Sequence, residues 1–69
     1  LTPAEIRAAR EALGLSQPQL AAMLRYSVKG NAAARVSEVE RGKPMDAARV
    51  ELLRAYLSGY RPQDWPKGD

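Results

Sequence analysis

The same punctuation occurs twice before residue 20, and it fixes where two short helices begin. Thr2-Pro3-Ala4-Glu5 and Ser16-Gln17-Pro18-Gln19 each put a hydroxyl residue at a helix N-cap, a proline in the first turn, and a glutamate or glutamine three residues after the cap. In that arrangement the hydroxyl oxygen and the longer side chain each accept from an orphan backbone amide, and the missing proline N–H costs nothing. The spacing predicts a first helix that begins at Pro3 and stops near Leu13, with Ile6, Ala9, Arg10 and Leu13 on one face and Gly14 ending it in the left-handed conformation. The second helix is expected over 17–25, with Leu20 and Leu24 as its buried stripe and Ala21 as a small residue that permits close approach by a neighbour.

Beyond Arg25 the pattern breaks at Ser27, Gly30 and Asn31. Asn31 is suited to cap the run Ala32-Ala33-Ala34-Arg35, which has high helix propensity, so a third helix is predicted over 32–41, with Val36 and Val39 inward and Gly42 and Pro44 ending it. Asp46 is placed to cap a fourth helix. There Val50, Leu53 and Leu57 recur at helical intervals, and Leu52 and Tyr56 widen the stripe to more apolar surface than one face uses before Gly59 stops it. No strand pattern, internal repeat or long linker appears. The chain is therefore expected to be all-α, with one domain over 1–59 and a tail over 60–69 that packs on the core or at a dimer interface. Trp65, the single tryptophan, is expected either as a lid on the core beside Tyr56 or as an interface anchor.

Sixty-nine residues build only a small core, so efficient helical packing or a partner is required. The chain has no cysteine and no histidine, which removes disulfides, thiolate ligands and the commonest general base and metal ligand. No metal and no cofactor are expected, and no cluster of acids, bases and nucleophiles has a spacing suited to catalysis, so the chain does not read as an enzyme. The longest apolar run, from Leu20 to Leu24, is far too short to span a bilayer, and the N-terminus lacks a signal-sequence pattern. A cytoplasmic protein is expected, and the opening at Leu1 without methionine fits a processed chain or a fragment of a larger one.

The net charge of +3 is less informative than its placement. Between Arg25 and Lys43 five bases stand against two acids, while the remainder carries six of each sign, so the whole excess falls around the third helix. Clustered positive charge beside a neutral remainder favours phosphate through counterion release. From Leu15 to Lys43 the sequence reads as two short helices meeting at an angle, the second carrying polar residues on the face its valines do not use, which is the layout of a DNA-reading helix-turn-helix.

The residues that carry this layout are also familiar. Leu13-Gly14-Leu15-Ser16-Gln17, then Leu20-Ala21 and Leu24, then Val36-Ser37-Glu38-Val39-Glu40-Arg41-Gly42-Lys43, resemble the Cro and phage-repressor (XRE-like) helix-turn-helix family over roughly residues 2–58. The resemblance implies a compact four- to five-helix bundle of the lambda-repressor-like type, acting as a transcriptional regulator on double-stranded DNA, as a homodimer on a palindromic operator. It implies phosphate contacts from Gln17, Arg41, Gly42 and Lys43, and base-edge positions at Ala33, Ala34, Arg35, Ser37 and Glu38. Arginine and glutamate there suit guanine and cytosine, and an alanine methyl suits thymine. It also implies a structural ion pair between Arg10 and Glu40, which accounts for an arginine interrupting an apolar face.

Two departures from the family pattern stand out. Where the family has a glycine and a tight turn after the second helix, this chain has Arg25 and a loop about five residues longer, so either the third helix is displaced along the groove or Lys29 adds a phosphate contact. Three alanines also stand where long polar side chains are usual, which shifts weight from direct readout to DNA shape. The plainer alternatives are that Arg35 only pairs with Glu38 on the helix surface, and that the alanine-rich helix meets a protein, as in an antitoxin or anti-repressor.

Overall fold

A computed structural model describes residues 1–27 and 31–66. Its four helices follow the predicted punctuation: α1 (Pro3–Ala12), α2 (Gln17–Met23), α3 (Ala32–Glu40) and α4 (Ala47–Leu57). Among the described residues there is no strand, and no helix is long and apolar enough to cross a membrane. Both capping boxes form. Thr2 accepts from the Glu5 amide while Glu5 accepts from that of Thr2, and Ser16 and Gln19 exchange the same pair of bonds. Asn31 and Asp46 cap α3 and α4 by accepting from the amides of Ala34 and Arg49.

All four helices end in the same way. After α1, the Gly14 amide donates to the Glu11 carbonyl and the Leu15 amide to that of Arg10; the equivalent pairs follow α2 (Arg25 to Ala22, Tyr26 to Ala21), α3 (Gly42 to Val39, Lys43 to Glu38) and α4 (Gly59 to Tyr56, Tyr60 to Ala55). This is the Schellman motif, which needs a left-handed residue just past the cap. Three of those residues are glycines, but after α2 it is Arg25, at φ 64°. The left-handed conformation cannot continue a helix. That is why α2 closes at Met23 rather than near Arg25, and why α3 closes at Glu40, with Arg41 as its cap before Gly42.

The core is assembled from short stripes on each helix. Ile6 and Ala9 of α1, Leu15 of the first turn, Leu20, Ala21, Met23 and Leu24 around α2, Val36 and Val39 of α3, and Leu53 and Tyr56 of α4 are all buried. α2 packs chiefly on α3, and α1 also lies against α3, so α3 has support on its inner side from both. The stripe on α4 differs from the one expected. Leu53 and Tyr56 are fully buried, Val50 and Leu52 are half-buried, and Leu57 remains 46% exposed. Tyr56 takes the inward position because its ring has partners on two sides and its hydroxyl donates to the Met23 carbonyl at 2.6 Å.

Residues 60–66 fold back over this end of the core. Trp65 meets the Tyr56 ring edge-on at 5.0 Å between centroids, and Tyr60 stacks on Tyr56 at 5.9 Å. Arg61 donates to the carbonyls of Tyr56 and Tyr60 and lies over the Trp65 ring. Asp64 pairs with Arg25 at 2.6 Å, joining the tail to the end of α2. Trp65 is thus the lid on the core.

Replacing Tyr56 by phenylalanine strands the Met23 carbonyl in the interior. The expected cost is about 1–3 kcal/mol, read as a lower urea midpoint with an unchanged denaturant slope. An unchanged midpoint would mean that this bond does not hold α4 to α2.

The Arg25 guanidinium, hydrogen-bonded to Asp64, holds that carboxyl below its ordinary value of 3.8. A depressed folded-state value means that the pair contributes fully above 3.8 and is lost as the pH falls through the lower folded value. Trp65 emission should therefore change in acid below the ordinary aspartate range. Asp64→Asn should abolish that change, and a persistent acid transition in the variant would place its origin elsewhere.

Candidate functional site

The outer side of α3 follows from its inner side. With Val36 and Val39 turned into the core, Ala33, Ala34, Ser37, Glu38 and Arg41 recur on the opposite surface at helical spacing. Together with Gln17 at the start of α2 and Asn31 at the cap of α3, they line an open groove of about 400 Å³. A second depression of about 280 Å³, lined by Arg7, Arg10, Gln17, Ser37, Glu40 and Arg41, adjoins it. Gln17, Ser37 and Arg41 line both. They form the ridge between the two.

Behind this ridge lies the best-defined polar contact in the molecule. Arg10 donates to Glu40 through Nε at 2.6 Å and through Nη2 at 3.4 Å, and its Nη1 donates to the Leu15 carbonyl at 3.1 Å. The side chains are only 16% and 8% exposed. Gln17 Nε2 donates to Glu40 Oε1 at 3.3 Å, so one carboxylate receives both α1 and the first residue of α2. The amide of Gln17 is therefore committed on one hydrogen and carries a second. Its expected phosphate role falls to that second hydrogen.

The other predicted positions divide into floor and flank. Ala33 and Ala34 make a low floor, and Ser37, Glu38 and Arg41 stand along it. Arg35 and Lys43 do not line the groove but stand beside it, 63% and 58% exposed, with Glu38 between them. Glu38 Oε1 lies 3.9 Å from Arg35 Nη1 and 3.5 Å from Lys43 Nζ, and this oxygen is shielded from solvent. The plainer pairing of Arg35 with Glu38 is thus present in the unbound chain. Exposed pairs of this kind hold by less than about 1 kcal/mol, so neither cation is locked. Gly42, at φ 121°, makes the turn that brings Lys43 beside α3. Lys29 lies outside the described residues.

Two lining residues had no functional assignment in the sequence. Arg7 stands one helical turn before Arg10 and lines the second depression; its spacing from Arg10 was the available signal, masked by its pairing with Glu11 at 3.5 Å. Asn31 is recognisable in sequence only as a cap, yet its side chain also borders the groove.

The end of α2 is braced from α4. Arg49 donates to the Arg25 carbonyl at 3.1 Å, lies 4.1 Å over the Tyr26 ring and pairs with Asp46 at 2.8 Å. Burial raises the Tyr26 hydroxyl above its ordinary value, and the bond from Arg49 lowers the Asp46 carboxyl. Neither group lines the groove. Among the described residues no set of three or more acidic, histidine or cysteine side chains could hold a metal. What the surface offers is directed hydrogen bonds, a shallow apolar floor and cations at its edge. Comparison with protein families, with curated proteins and with solved structures found no match to this chain.

Proposed function

We propose that the chain is a sequence-specific DNA-binding regulator of the lambda-repressor-like helix-turn-helix type, with the outer face of α3 entering the major groove. The observation that carries this reading is the convergence of Gln17, Ala33, Ala34, Ser37, Glu38 and Arg41 on one open groove, although Gln17 and Arg41 are 24 residues apart in the chain. A recognition helix needs a flat outer face, anchoring groups at its two ends, and a rigid core behind it. Here the anchors are Gln17 at one end and Arg41, Gly42 and Lys43 at the other.

The alanine floor lets base edges approach closely and gives a thymine methyl an apolar partner. Arg35 swings from Glu38 to a guanine, whose O6 and N7 match a guanidinium fork. Glu38, relieved of Arg35, retains Lys43 as counter-charge. Lys43 and Arg41 neutralise phosphates, with Arg7 as a further cation on the same side. A homodimer on a palindromic operator, acting in the cytoplasm, completes the reading, because one half-site reader gains both affinity and register from a two-fold partner.

Selection of bound duplexes from a random pool tests the proposal directly. The expected product is a pair of related half-sites at a fixed spacing. Uniform weak retention of all duplexes at physiological salt would overturn it.

The roles of the flanking cations separate in binding assays. Arg35→Ala should lose about 1–3 kcal/mol of discrimination at one base position, with nonspecific affinity little changed. Lys43→Ala should weaken specific and random duplexes alike and reduce the slope of log affinity against log salt by about 0.9. Equal effects of both substitutions on specific and random DNA would refute this division.

A further inference from the structure

We infer that Asn31 is a specificity-determining residue that recognises a guanine, in addition to capping α3; this rests on the DNA-binding reading above. An asparagine amide has one acceptor and one donor group, and its usual partner in the major groove is adenine, which presents the matching acceptor and donor. That pairing is unavailable to Asn31. Its Oδ1 already accepts from the Ala34 amide at 3.3 Å, where releasing it would leave the first turn of α3 uncapped. The free end of the side chain is therefore Nδ2 alone, with two hydrogens that nothing accepts among the described residues. A group that only donates selects the base edge that only accepts.

In the major groove that edge belongs to guanine, whose N7 and O6 are adjacent acceptors. Adenine would set its own amino group against Nδ2, and cytosine presents an amino group alone. Thymine offers one acceptor and a methyl, a poorer match to two hydrogens. The surroundings agree with this choice. Asn31 lines the groove with Gln17, Ala33 and Ala34, and the two alanines of the floor are too short to stand between its amide and a bound base. The groove's one lining carboxylate, Glu38, has its shielded oxygen beside Arg35 and Lys43, so that oxygen is already matched with cations. The cap bond also pins the side chain before binding, so its donors are presented with little loss of rotamer freedom on association.

Duplex selection with the unmodified chain and with Asn31→Asp and Asn31→Ser tests the inference. Aspartate and serine cap helices as well as asparagine does, so thermal unfolding should stay within a few degrees of the parent. Both variants should lose one guanine from each half-site while keeping the other preferred positions, a result that a purely structural role would not give. Replacing that guanine by 7-deazaguanine should weaken binding of the parent chain about tenfold and leave the serine variant unaffected. A selected site unchanged in both variants, or an indifferent response of the parent to the deaza base, overturns the role of Asn31 while leaving the regulator reading intact. Failure of the parent chain to enrich any sequence overturns both.

Discussion

The contact on which the rest of the molecule depends is the Arg10–Glu40 pair. Apolar packing of Val36 and Val39 attracts α3 to its neighbours but does not fix its rotation or its shift along its own axis, because burial is non-directional. Hydrogen bonds are directional. Arg10 spends its fork on Glu40 and on the Leu15 carbonyl, and Glu40 also accepts from Gln17, so α1, the first turn, the start of α2 and the end of α3 meet at one carboxylate. Taking two charges largely out of water costs more than their attraction readily returns, which makes such a pair a poor source of stability and a good source of register. The register it sets is the one the groove needs, since Gln17 on one side and Arg41 on the other are each one bond or one residue away from it.

A second polar cluster does the corresponding work at the far end. The longer connection between α2 and α3 departs through Arg25, whose left-handed backbone costs about 1 kcal/mol or more for a residue with a β-carbon. Glycine would avoid that cost, but glycine could not pair with Asp64. With arginine there, the same residue ends α2, receives Arg49 at its carbonyl and holds the tail through its side chain. The tail in turn places Trp65 against Tyr56, and Tyr56 bonds back to the Met23 carbonyl in the last turn of α2. The start of α2 is thus held from α1 and α3, and its end from α4 and the tail. A helix of seven residues has too little intrinsic stability to persist without that support.

Local chemistry explains which parts of this were legible in the sequence. Caps were, because Thr2, Ser16, Asn31 and Asp46 act within three residues of themselves, and so were the glycine stops. Apolar spacing identified Ile6, Leu20, Leu24, Val36 and Val39, since each lies on a stripe that has only one inward direction. Met23 and Tyr56 were harder. Met23 is buried together with its neighbour Leu24, and Tyr56 turns inward where Leu57 does not because the tail covers it, along a path that no periodicity reveals. Arg25 was recognisable as an oddity in place of a glycine, but its partners lie 24 and 39 residues further along the chain. On the candidate site, spacing placed the floor and the flank together, while the dual position of Asn31 required knowing which of its two polar ends the cap consumes.

The short side chains of the groove have a physical consequence for how it would select a ligand. Long polar residues on a recognition helix bring reach, but each one ordered on binding costs up to about 2 kcal/mol of rotamer entropy. Three successive alanines cost none and also favour the helix they begin. What remains for discrimination is a small set of groups at the rim, and two of them are already held in place, Gln17 by Glu40 and Asn31 by the Ala34 amide. Arg35 and Lys43 are themselves exposed and are held only by the half-buried Glu38 carboxylate, so they can move. On the proposed DNA-binding reading, such a surface would divide its work between fixed donors that test the acceptor pattern of a base edge and mobile cations that reach for the phosphate backbone. On that same reading, a pinned amide such as that of Asn31 can satisfy only one acceptor position, whereas Arg35 adds discrimination only where its fork meets a matching base edge and Lys43 adds none.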